Sequence, residues 1–408
     1  MKLILSTNKK LDKIYNRSVL RSKTIEERVK KIIEDVRLFG DEAVIKYTRK
    51  FDGVRLSAYQ LKVSETEISA AYHNIDPKFV SSLKQIFENI NRYQRRFLIK
   101  SWRIKDNNGL ILSNNYQAIE SVGIYIPAGT APLVSTVYMT VIPAKIAQVK
   151  RIVLVCPPDK NGNINPHILV VADLLRVNEI YKVGGAQAIA SLAYGTKTIP
   201  KVDKIVGPGN IYVTEAKRQV FGIVDIDMIA GPTELVIIAN RFSEPKFVIA
   251  DLKAQAEHTQ GLSILITNSK TLAKQVKAEL NDLNGYIILV KNLEEAITIT
   301  NKIAPEHLEI MVKNPYRLIK GIKNAGAIFL GSYSPVAVGD YVAGPSHVLP
   351  TLGTARFFSG LSVIDFLKHT HIVSFSKKAL ENVKEPLEKI ASIEGLNQHL
   401  NSVKVRFE

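Results

Sequence analysis

Length, composition and charge exclude several classes of protein. The chain has 408 residues, 46% of them hydrophobic, which predicts a folded protein of two or more domains. Its 55 Lys and Arg residues against 38 Asp and Glu residues give a net charge of +17. The basic residues are scattered and form no long block, so we expect a lysine-rich solvated surface and no nucleic acid partner. A nucleic acid binder is the alternative, and its binding would fall steeply with salt.

The cysteine content and the uncharged stretches indicate the cellular compartment of the protein and whether it crosses a membrane. The single cysteine, Cys156, cannot form an intramolecular disulfide, which favours a reducing compartment. It follows the apolar run RIVLV, which is more typical of a buried strand end than of a nucleophile. The N-terminus has too short an apolar stretch for a signal peptide. Residues 121–144 carry no charge and are long enough to cross a bilayer, but their prolines favour a strand, a loop and a buried helix. These features predict a soluble, cytoplasmic protein with no membrane partner.

Helices are predicted in the N-terminal part of the chain. Residues 24–50 carry two amphipathic helical patterns, which Gly40 separates and an Asp-Gly turn ends. Residues 65–98 continue the helical pattern, with a break near Asp76-Pro77. From residue 122 the pattern changes to short apolar runs that alternate with helical stretches. The runs are VGIYIP, RIVLV, IYKVGG, KIVGPGN, ELVIIA, SILIT, YIILV, HLEIMV and AIFLG.

Such alternation predicts parallel β-α-β units. Nine strands are more than one doubly wound sheet of this size would hold. We therefore predict an α/β fold with two Rossmann-like, doubly wound parallel-sheet domains, N-terminal helices and a C-terminal extension. The extension should hold a helix around residues 377–393 and then a short extended end. The predicted boundaries are 1–22 for an N-terminal segment, 23–124 plus 233–360 for a discontinuous first domain, 125–232 for a second domain and 361–408 for a tail.

Two histidine-bearing segments are candidates for a metal or substrate site. In AQAEH, Gln255 and His258 are three residues apart and share a helix face, which alone is a weak zinc signal beside the alternative of a polar helix end. In GDYVAGPSHVLP, glycines and prolines predict a loop that holds Asp340 and His347. Loops on α/β sheets carry function, so this carboxylate and imidazole could serve a metal or a substrate.

Two further segments suggest acid–base chemistry. Glu306 and His307 open a predicted strand in IAPEHLEI, and such a pair can act in acid–base catalysis if both side chains enter one cavity. Neighbours in a regular strand face opposite sides, so the alternative is an ordinary strand start. The tail segment EGLNQH holds Glu394 and His399, which in a tail are usually solvated.

Two glycine turns between a strand and a helix are candidates for nucleotide binding. GGAQ at 184–187 and IVGPGN at 205–210 have the right context, but both are near misses to the dinucleotide fingerprint; in the second segment, Tyr212 occupies the last position of the fingerprint. The alternative is two tight turns.

Taken in order and spacing, five segments resemble the histidinol dehydrogenase family: AQAEH, IAPEHLEI, GDYVAGPSHVLPT, GTARFFSGLSV and EGLNQH. The resemblance extends from FDGV near residue 51 to the tail. It implies NAD-dependent oxidation of L-histidinol through L-histidinal to L-histidine, the last step of histidine biosynthesis. It also implies one zinc per subunit, NAD binding in the second domain and a homodimer in which the tail of one subunit completes the site of the other.

The resemblance implies roles for individual residues. The implied zinc ligands are Gln255, His258, Asp340 and His399. The implied catalytic pair is Glu306 and His307. Both sets are also implied to contact the substrate, together with Thr233, His347 and Glu394. The implied NAD contacts are Tyr125, Gln187 and Asn210.

The chain departs from the family pattern at two places. Thr233 stands in AGPTE where the family usually has serine, and Thr259-Gln260 follow AQAEH where Asp-Pro is common. We expect the first departure to alter one substrate contact and the second to alter a helix end.

Two mechanistic questions stay open at this point. Zinc could polarise the reacting oxygen, or it could hold the imidazole and amino group of the substrate; the resemblance and the ligand set favour the second role. Cobalt or manganese would also suit such ligands. His307 is the expected base for the first oxidation and Glu306 the expected base that activates water for the second. The other hypothesis is a non-catalytic nucleotide- or metal-binding protein in which the site residues have only a structural role. The intact acid–base pair argues against it, because binding alone does not require such a pair.

Overall fold

The computed structural model describes residues 1–17, 22–128, 131–258 and 260–408. The strands are β1 (Lys2–Leu5), β2 (Trp102–Lys105), β3 (Ile111–Ala118), β4 (Ser121–Tyr125), β5 (Arg151–Cys156), β6 (Glu179–Lys182), β7 (Lys204–Val206), β8 (Asp225–Ile226), β9 (Glu234–Ala239), β10 (Leu262–Thr267), β11 (Gly285–Leu289), β12 (His307–Met311), β13 (Ala327–Leu330) and β14 (Leu367–Ser374).

Helices fill most of the intervals between the strands. They are α1 (Lys10–Tyr15), α2 (Lys23–Phe39), α3 (Asp41–Phe51), α4 (Glu65–Tyr72), α5 (Pro77–Gln94), α6 (Val134–Ile146), α7 (Pro166–Leu174), α8 (Gly185–Tyr194), α9 (Ile211–Val220), α10 (Pro245–Ala256), α11 (Lys270–Glu279), α12 (Leu293–Ile303), α13 (Tyr316–Ile319), α14 (Val336–Tyr341), α15 (Lys377–Asn382), α16 (Lys384–Ile393) and α17 (Asn397–Lys404).

The described residues divide into two units. The first unit comprises Met1–Phe97 and Ile119–Phe366, and the second comprises Leu98–Ala118 and Leu367–Glu408. The second unit thus includes residues 98–118, which the sequence prediction had left outside the tail. The reason is the pairing of β3 with β14, a contact between residues far apart in the chain that no local pattern reveals.

The larger sheet of the first unit is parallel, with the order β1-β11-β10-β9-β12-β13 among the described residues. All six residues of β9, ELVIIA, are buried, as expected for a central parallel strand covered on both faces. Apolar clusters lie on both faces of the sheet. β1 adds the N-terminal residues to its edge, so part of the predicted N-terminal segment belongs to this sheet.

The smaller parallel sheet of the first unit has the order β6-β5-β4-β7-β8 over the same described ranges. Its core includes Val29 and Val36 of α2 and Val44 of α3, packed with Ile189 and Leu192 of α8. This packing differs from the predicted grouping of residues 23–124 with the other sheet, because the apolar stripes of α2 and α3 cannot show which sheet they cover. The two predicted parallel sheets are confirmed, and each of the nine predicted strands is present.

The uncharged stretch that follows residue 121 forms β4 and the almost completely buried helix α6. Within the described part of the chain, no helix has both the length and the apolar character that a membrane crossing needs.

The second unit holds an antiparallel sheet and the C-terminal helices. Its strands have the order β14-β3-β2, and α16 packs against α17. The predicted extended end of the chain is wrong, since residues 397–404 form α17. The polar sequence NQHLNSVK has a short helical periodicity that is easily missed.

Candidate active site

The buried pair Glu306 and His307 lies at the amino end of β12, beside the amino end of β9. Glu306 is 6% exposed and His307 is 4% exposed. The amide N–H of Glu234 donates to Glu306 Oε2 (2.9 Å), and His307 Nδ1 donates to the carbonyl oxygen of Glu234 (3.3 Å). Glu306 precedes the first strand residue, which lets its carboxylate turn towards the imidazole, with 3.6 Å between Oε2 and Nδ1. The two side chains therefore face each other, which a regular strand start would have prevented.

The electrostatics of this pair differ from those of exposed groups. Burial raises the pKa of Glu306 to about 7, although the neighbouring imidazole and the Thr233 hydroxyl oppose the rise. Burial lowers the pKa of His307, but the carboxylates of Glu306 and Asp340 outweigh it and raise that pKa to about 9. Because Nδ1 donates to a backbone carbonyl, His307 carries its lone pair on Nε2 once it has lost its second proton, which this raised pKa places at alkaline pH. That nitrogen has no hydrogen-bond partner in the described structure, so it is available to a substrate proton.

Asp340 and His347, both half-buried, lie beside the buried pair. Asp340 Oδ1 lies 3.6 Å from His307 Nε2. His347 Nδ1 donates to the carbonyl oxygen of Asp340 (3.0 Å), and the hydroxyl of Thr136 lies 3.2 Å from His347 Nε2. Burial lowers the pKa of His347, so this ring is a neutral donor and acceptor. The loop prediction is wrong for Asp340, which lies in α14; His347 lies in the segment after it.

The C-terminal end of α10 supplies two further candidate groups. Gln255 is 4% exposed and its Nε2 has no partner among the described atoms. His258 follows the helix end and is exposed. His258 is among the groups that lower the pKa of His347. Leu262, the first residue of β10 after this helix, donates its N–H to the carbonyl oxygen of Thr233 (3.0 Å), so the end of α10 borders the cluster on the side of Thr233. Thr259, where the sequence departs from the family pattern, lies outside the described residues.

A buried ion pair fixes the backbone that orients His307. Arg17 donates to both carboxylate oxygens of Glu234 (2.5 and 2.7 Å) and also to the carbonyl oxygen of Ile303 (3.2 Å). The same Glu234 residue presents the N–H and C=O groups that bind Glu306 and His307. The N-terminal segment therefore stabilises the site through a bidentate contact.

The candidate nucleotide region lies at the carboxyl ends of strands in the smaller sheet. Tyr125 is buried, and its hydroxyl accepts from the N–H of Gly185 (3.1 Å). Gln187 is completely buried, and both polar atoms of its amide lack partners among the described residues. The Asn210 side chain caps α9 by accepting from Tyr212 N (3.0 Å) and Val213 N (3.1 Å). An unsatisfied buried amide beside a helix N-terminus suits a polar ligand.

The turn at Gly207 is held by a buried ion pair. Gly207 N donates to Asp227 Oδ2 (2.7 Å), and Lys217 Nζ donates to the carbonyl oxygen of Gly207 (3.0 Å). Lys217 also pairs with Asp227. Gly207 has φ +113°, and a Cβ at this position would lie 2.3 Å from the carbonyl oxygen of Tyr125. The turn therefore requires glycine for its conformation and for the close approach of the backbone.

Gly207→Ala is accordingly expected to lower the free energy of unfolding by about 2 to 5 kcal/mol, since it adds backbone strain and a steric clash. Gly53→Ala is the matched control, because Gly53 also has a positive φ, +75°, but has open space around its Cβ position. That variant should lose only about 1 to 2 kcal/mol. Urea unfolding measures both values, and equal losses would show that the approach to Tyr125 does not matter.

Comparison with known proteins decides the family. The family model described as histidinol dehydrogenase matches residues 15–407. The chain is 50% identical over 401 residues to the histidinol dehydrogenase of Clostridium acetobutylicum, covering 94% of this chain and 93% of the relative. It is 48% identical to that of Listeria innocua, covering 95% and 94%. The crystal structure of histidinol dehydrogenase from Elizabethkingia anophelis superposes with a TM-score of 0.93 at 37% identity, covering 100% of this chain and 98% of that chain.

The chain belongs to the histidinol dehydrogenase family. The family resemblance stated from the five sequence segments is thus confirmed, and with it the enzyme class, an oxidoreductase. An acetylating aldehyde dehydrogenase from Geobacillus thermoglucosidasius also superposes, with a TM-score of 0.51 at 13% identity over 88% of this chain and 99% of that chain. This second likeness concerns the fold alone.

Five of the candidate site residues predicted from the sequence of this histidinol dehydrogenase family member lie together in the structure. They are Thr233, Glu306, His307, Asp340 and His347. Gln255 and His258 lie at the end of α10, which borders this group. Glu394 and His399 lie in the second unit, where both are exposed. Over the described ranges, no three His, Cys, Asp or Glu side chains form a cluster that could hold a metal.

Three polar residues of this family site were not found from the sequence. Thr136 contacts His347 from α6, and Arg17 pairs with Glu234. Thr136 lies in a long apolar helix, where a hydroxyl residue is not unusual. Glu234 gave a signal that could have been used, since a carboxylate at the start of a buried strand needs a partner.

Proposed function

We propose that the protein oxidises L-histidinol through L-histidinal to L-histidine with NAD, as a homodimer with one zinc per subunit. The proposal is supported most directly by one observation in this family member. The buried imidazole of His307 lies against two carboxylates, and its Nε2 has no hydrogen-bond partner among the described residues. Conversion of an alcohol to a carboxylate removes two hydrides, and bound NAD supplies the acceptor for each of them. Two molecules of NAD are therefore consumed for each histidinol.

The proposed proton transfers use His307 and Glu306. The carbonyl oxygen of Glu234 holds His307 Nδ1–H, so that Nε2 takes the proton of the substrate hydroxyl in the first oxidation. Glu306 is the base for the water that adds to the aldehyde before the second oxidation. Its pKa near neutrality suits a group that must accept and release a proton. We expect His347 and Thr233 to contact the substrate beside this pair.

The chemistry of the donor groups on α10, α14 and the segment after α10 suits a metal. The buried Gln255 amide has an unpartnered atom, and Asp340 and His258 add carboxylate and imidazole donors of the kinds that zinc accepts. We propose Gln255, His258 and Asp340 as ligands together with His399 of a second copy of the chain. Bound zinc would hold the imidazole and amino group of the substrate, and so fix its position. Tyr125, Gln187 and Asn210 are proposed to contact NAD.

Exposed apolar residues of the second unit support the homodimer. Trp102, Ile104 and Val373 are 48%, 57% and 64% exposed. Trp102 and Ile104 alternate with Arg103 on β2, and Ile104 and Val373 both pair with Leu112, so all three lie on one face of the sheet. An apolar face of this kind is typical of an interaction surface. The buried, unpaired Cys156 supports a reducing compartment such as the cytoplasm.

NADH formation with L-histidinol as substrate tests this function. Incubation with a chelator should abolish NADH formation, and added Zn²⁺ should restore it. No NADH formation by the zinc-loaded protein would refute the proposal, and full activity after complete metal removal would refute the role of the metal.

His399→Asn is expected to weaken zinc binding by about 10-fold or more, because it removes one of four ligands. Elemental analysis and competition with a coloured chelator measure the loss. His73→Asn is the matched control, since His73 is an exposed histidine at the end of α4 to which we assign no role. Unchanged zinc affinity in His399→Asn would contradict the ligand assignment.

Mixed dimers test whether the tail acts in the other subunit. Refolding His399→Asn together with His307→Asn should restore about a quarter of wild-type activity, since half of the random dimers are mixed and each mixed dimer has one intact site. The assay uses a Zn²⁺ concentration at which His399→Asn alone is inactive; if each tail served its own subunit, the mixture would stay inactive there as well.

A further inference from the structure

Two carboxyl groups, those of Glu309 and Asp251, lie next to His307, the proposed base. Glu309 is two residues after His307 on the same face of β12 and is 1% exposed. Asp251, on α10, lies within hydrogen-bonding distance of the Glu309 carboxyl group. Glu309 Oε1 accepts from the N–H of Val336 (2.9 Å), but its Oε2 has no donor among the described residues. Two ionised carboxylates only accept hydrogen bonds, so this contact requires a proton on one of the two groups.

The pair joins the three elements that present the proposed site residues. Asp251 is one helical turn before Gln255 on α10, and the two share a helix face. Val336 is the first residue of α14 and lies one turn before Asp340. Glu309 itself belongs to the strand that begins with His307. One buried carboxyl group thus contacts α10 through Asp251 and α14 through Val336.

We propose that Asp251 and Glu309 are positioning residues, which share one proton and thereby hold Gln255, Asp340 and His307 at their working separation. The inference rests on the proposed function for the roles of the three residues that are positioned. The pair does not touch substrate in this scheme. Its effect is to keep the ends of two helices fixed relative to one strand, as outer hydrogen bonds do for metal ligands.

The charges around the pair explain why it keeps its proton. The groups that face Glu309 are Asp251 from α10, His307 from β12 and the N–H of Val336 from α14. Burial and the Asp251 carboxylate raise the pKa of Glu309 to about 8, and burial raises the pKa of Asp251 as well. A folded-state pKa above the unfolded value means that stability is full at low pH and falls as the pH rises towards that pKa.

Glu309→Gln tests the shared proton. The glutamine amide donates to Asp251 permanently, and its oxygen still accepts from Val336. We compare how steeply the unfolding equilibrium constant rises with pH between pH 6.5 and pH 8. Loss of the shared proton should make this rise steeper in the wild type than in Glu309→Gln, by a factor of up to about 10 for each pH unit. Glu279→Gln, an exposed position on α11, is the control and should follow the wild type. The same pH slope in Glu309→Gln as in the wild type would overturn the shared proton.

Zinc affinity tests the positioning. Glu309→Leu, which cannot bond to Asp251, should weaken zinc by about 10-fold or more in a competition assay, and Glu309→Gln should recover most of the affinity. If Glu309→Leu does not fold, the same comparison can be made at Asp251, which is less buried than Glu309. Asp251→Leu then removes the hydrogen bond, and Asp251→Asn should recover most of the zinc affinity. Leucine variants that bind zinc as the wild type does would overturn the positioning role. Failure of the proposed function would instead appear in the wild type, as a lack of zinc binding and histidinol oxidation, with the pH slope unaffected.

Discussion

Replacement of His307 by asparagine is expected to lower kcat for L-histidinol oxidation by about 100- to 10,000-fold, the usual contribution of a general base. Asparagine cannot take up a proton, but its amide can still donate towards the carbonyl oxygen of Glu234, which His307 Nδ1 contacts in the native protein. The buried cluster therefore loses its base and keeps its shape. Initial rates of NADH formation measure the effect.

Two observations make the His307 result interpretable. Zinc content should stay at the wild-type level, because His307 is not among the proposed ligands. His73→Asn, an exposed histidine after α4, should have wild-type activity. A wild-type rate in His307→Asn would show that another group takes the proton.

Glu306→Gln is expected to separate the two oxidations. Its amide oxygen can still accept from the N–H of Glu234, but it cannot accept a proton from water. Oxidation of added L-histidinal should therefore slow by about 100-fold or more, while the first oxidation is less affected. Rates with L-histidinol and with L-histidinal, measured under single-turnover conditions, give the two effects.

The control for this variant is Glu88→Gln, an exposed position on α5 that should behave as the wild type. L-Histidinal should accumulate in the Glu306→Gln reaction and not in the control. Normal turnover of added L-histidinal by Glu306→Gln would assign the water-activating role elsewhere.

The parts of the fold that follow from local patterns could be predicted from the sequence. Buried parallel strands such as β9 and β10 are continuous apolar runs, and such runs need no knowledge of their partners. The strands that were missed depend on distant pairing. β3 reads ILSNNYQA, with several polar residues, and is a strand because β14 and β2 flank it.

The residues of the candidate site could be predicted from the sequence, but their positions relative to one another could not. The order of the motifs identified Glu306 and His307, but only the structure shows that Glu306 lies just before the strand and can face His307. Arg17 could not be predicted at all, since its partner Glu234 lies 217 residues away. Glu309 had a signal, because a carboxylate within the buried run HLEIMV needs a partner or a proton.

The stoichiometry of NADH formed per L-histidinol tests the central claim, that one site carries out both oxidations. With limiting L-histidinol and excess NAD, we expect two NADH for each L-histidinol consumed and L-histidine as the product. One NADH with L-histidinal released, or no NADH at all, would contradict it.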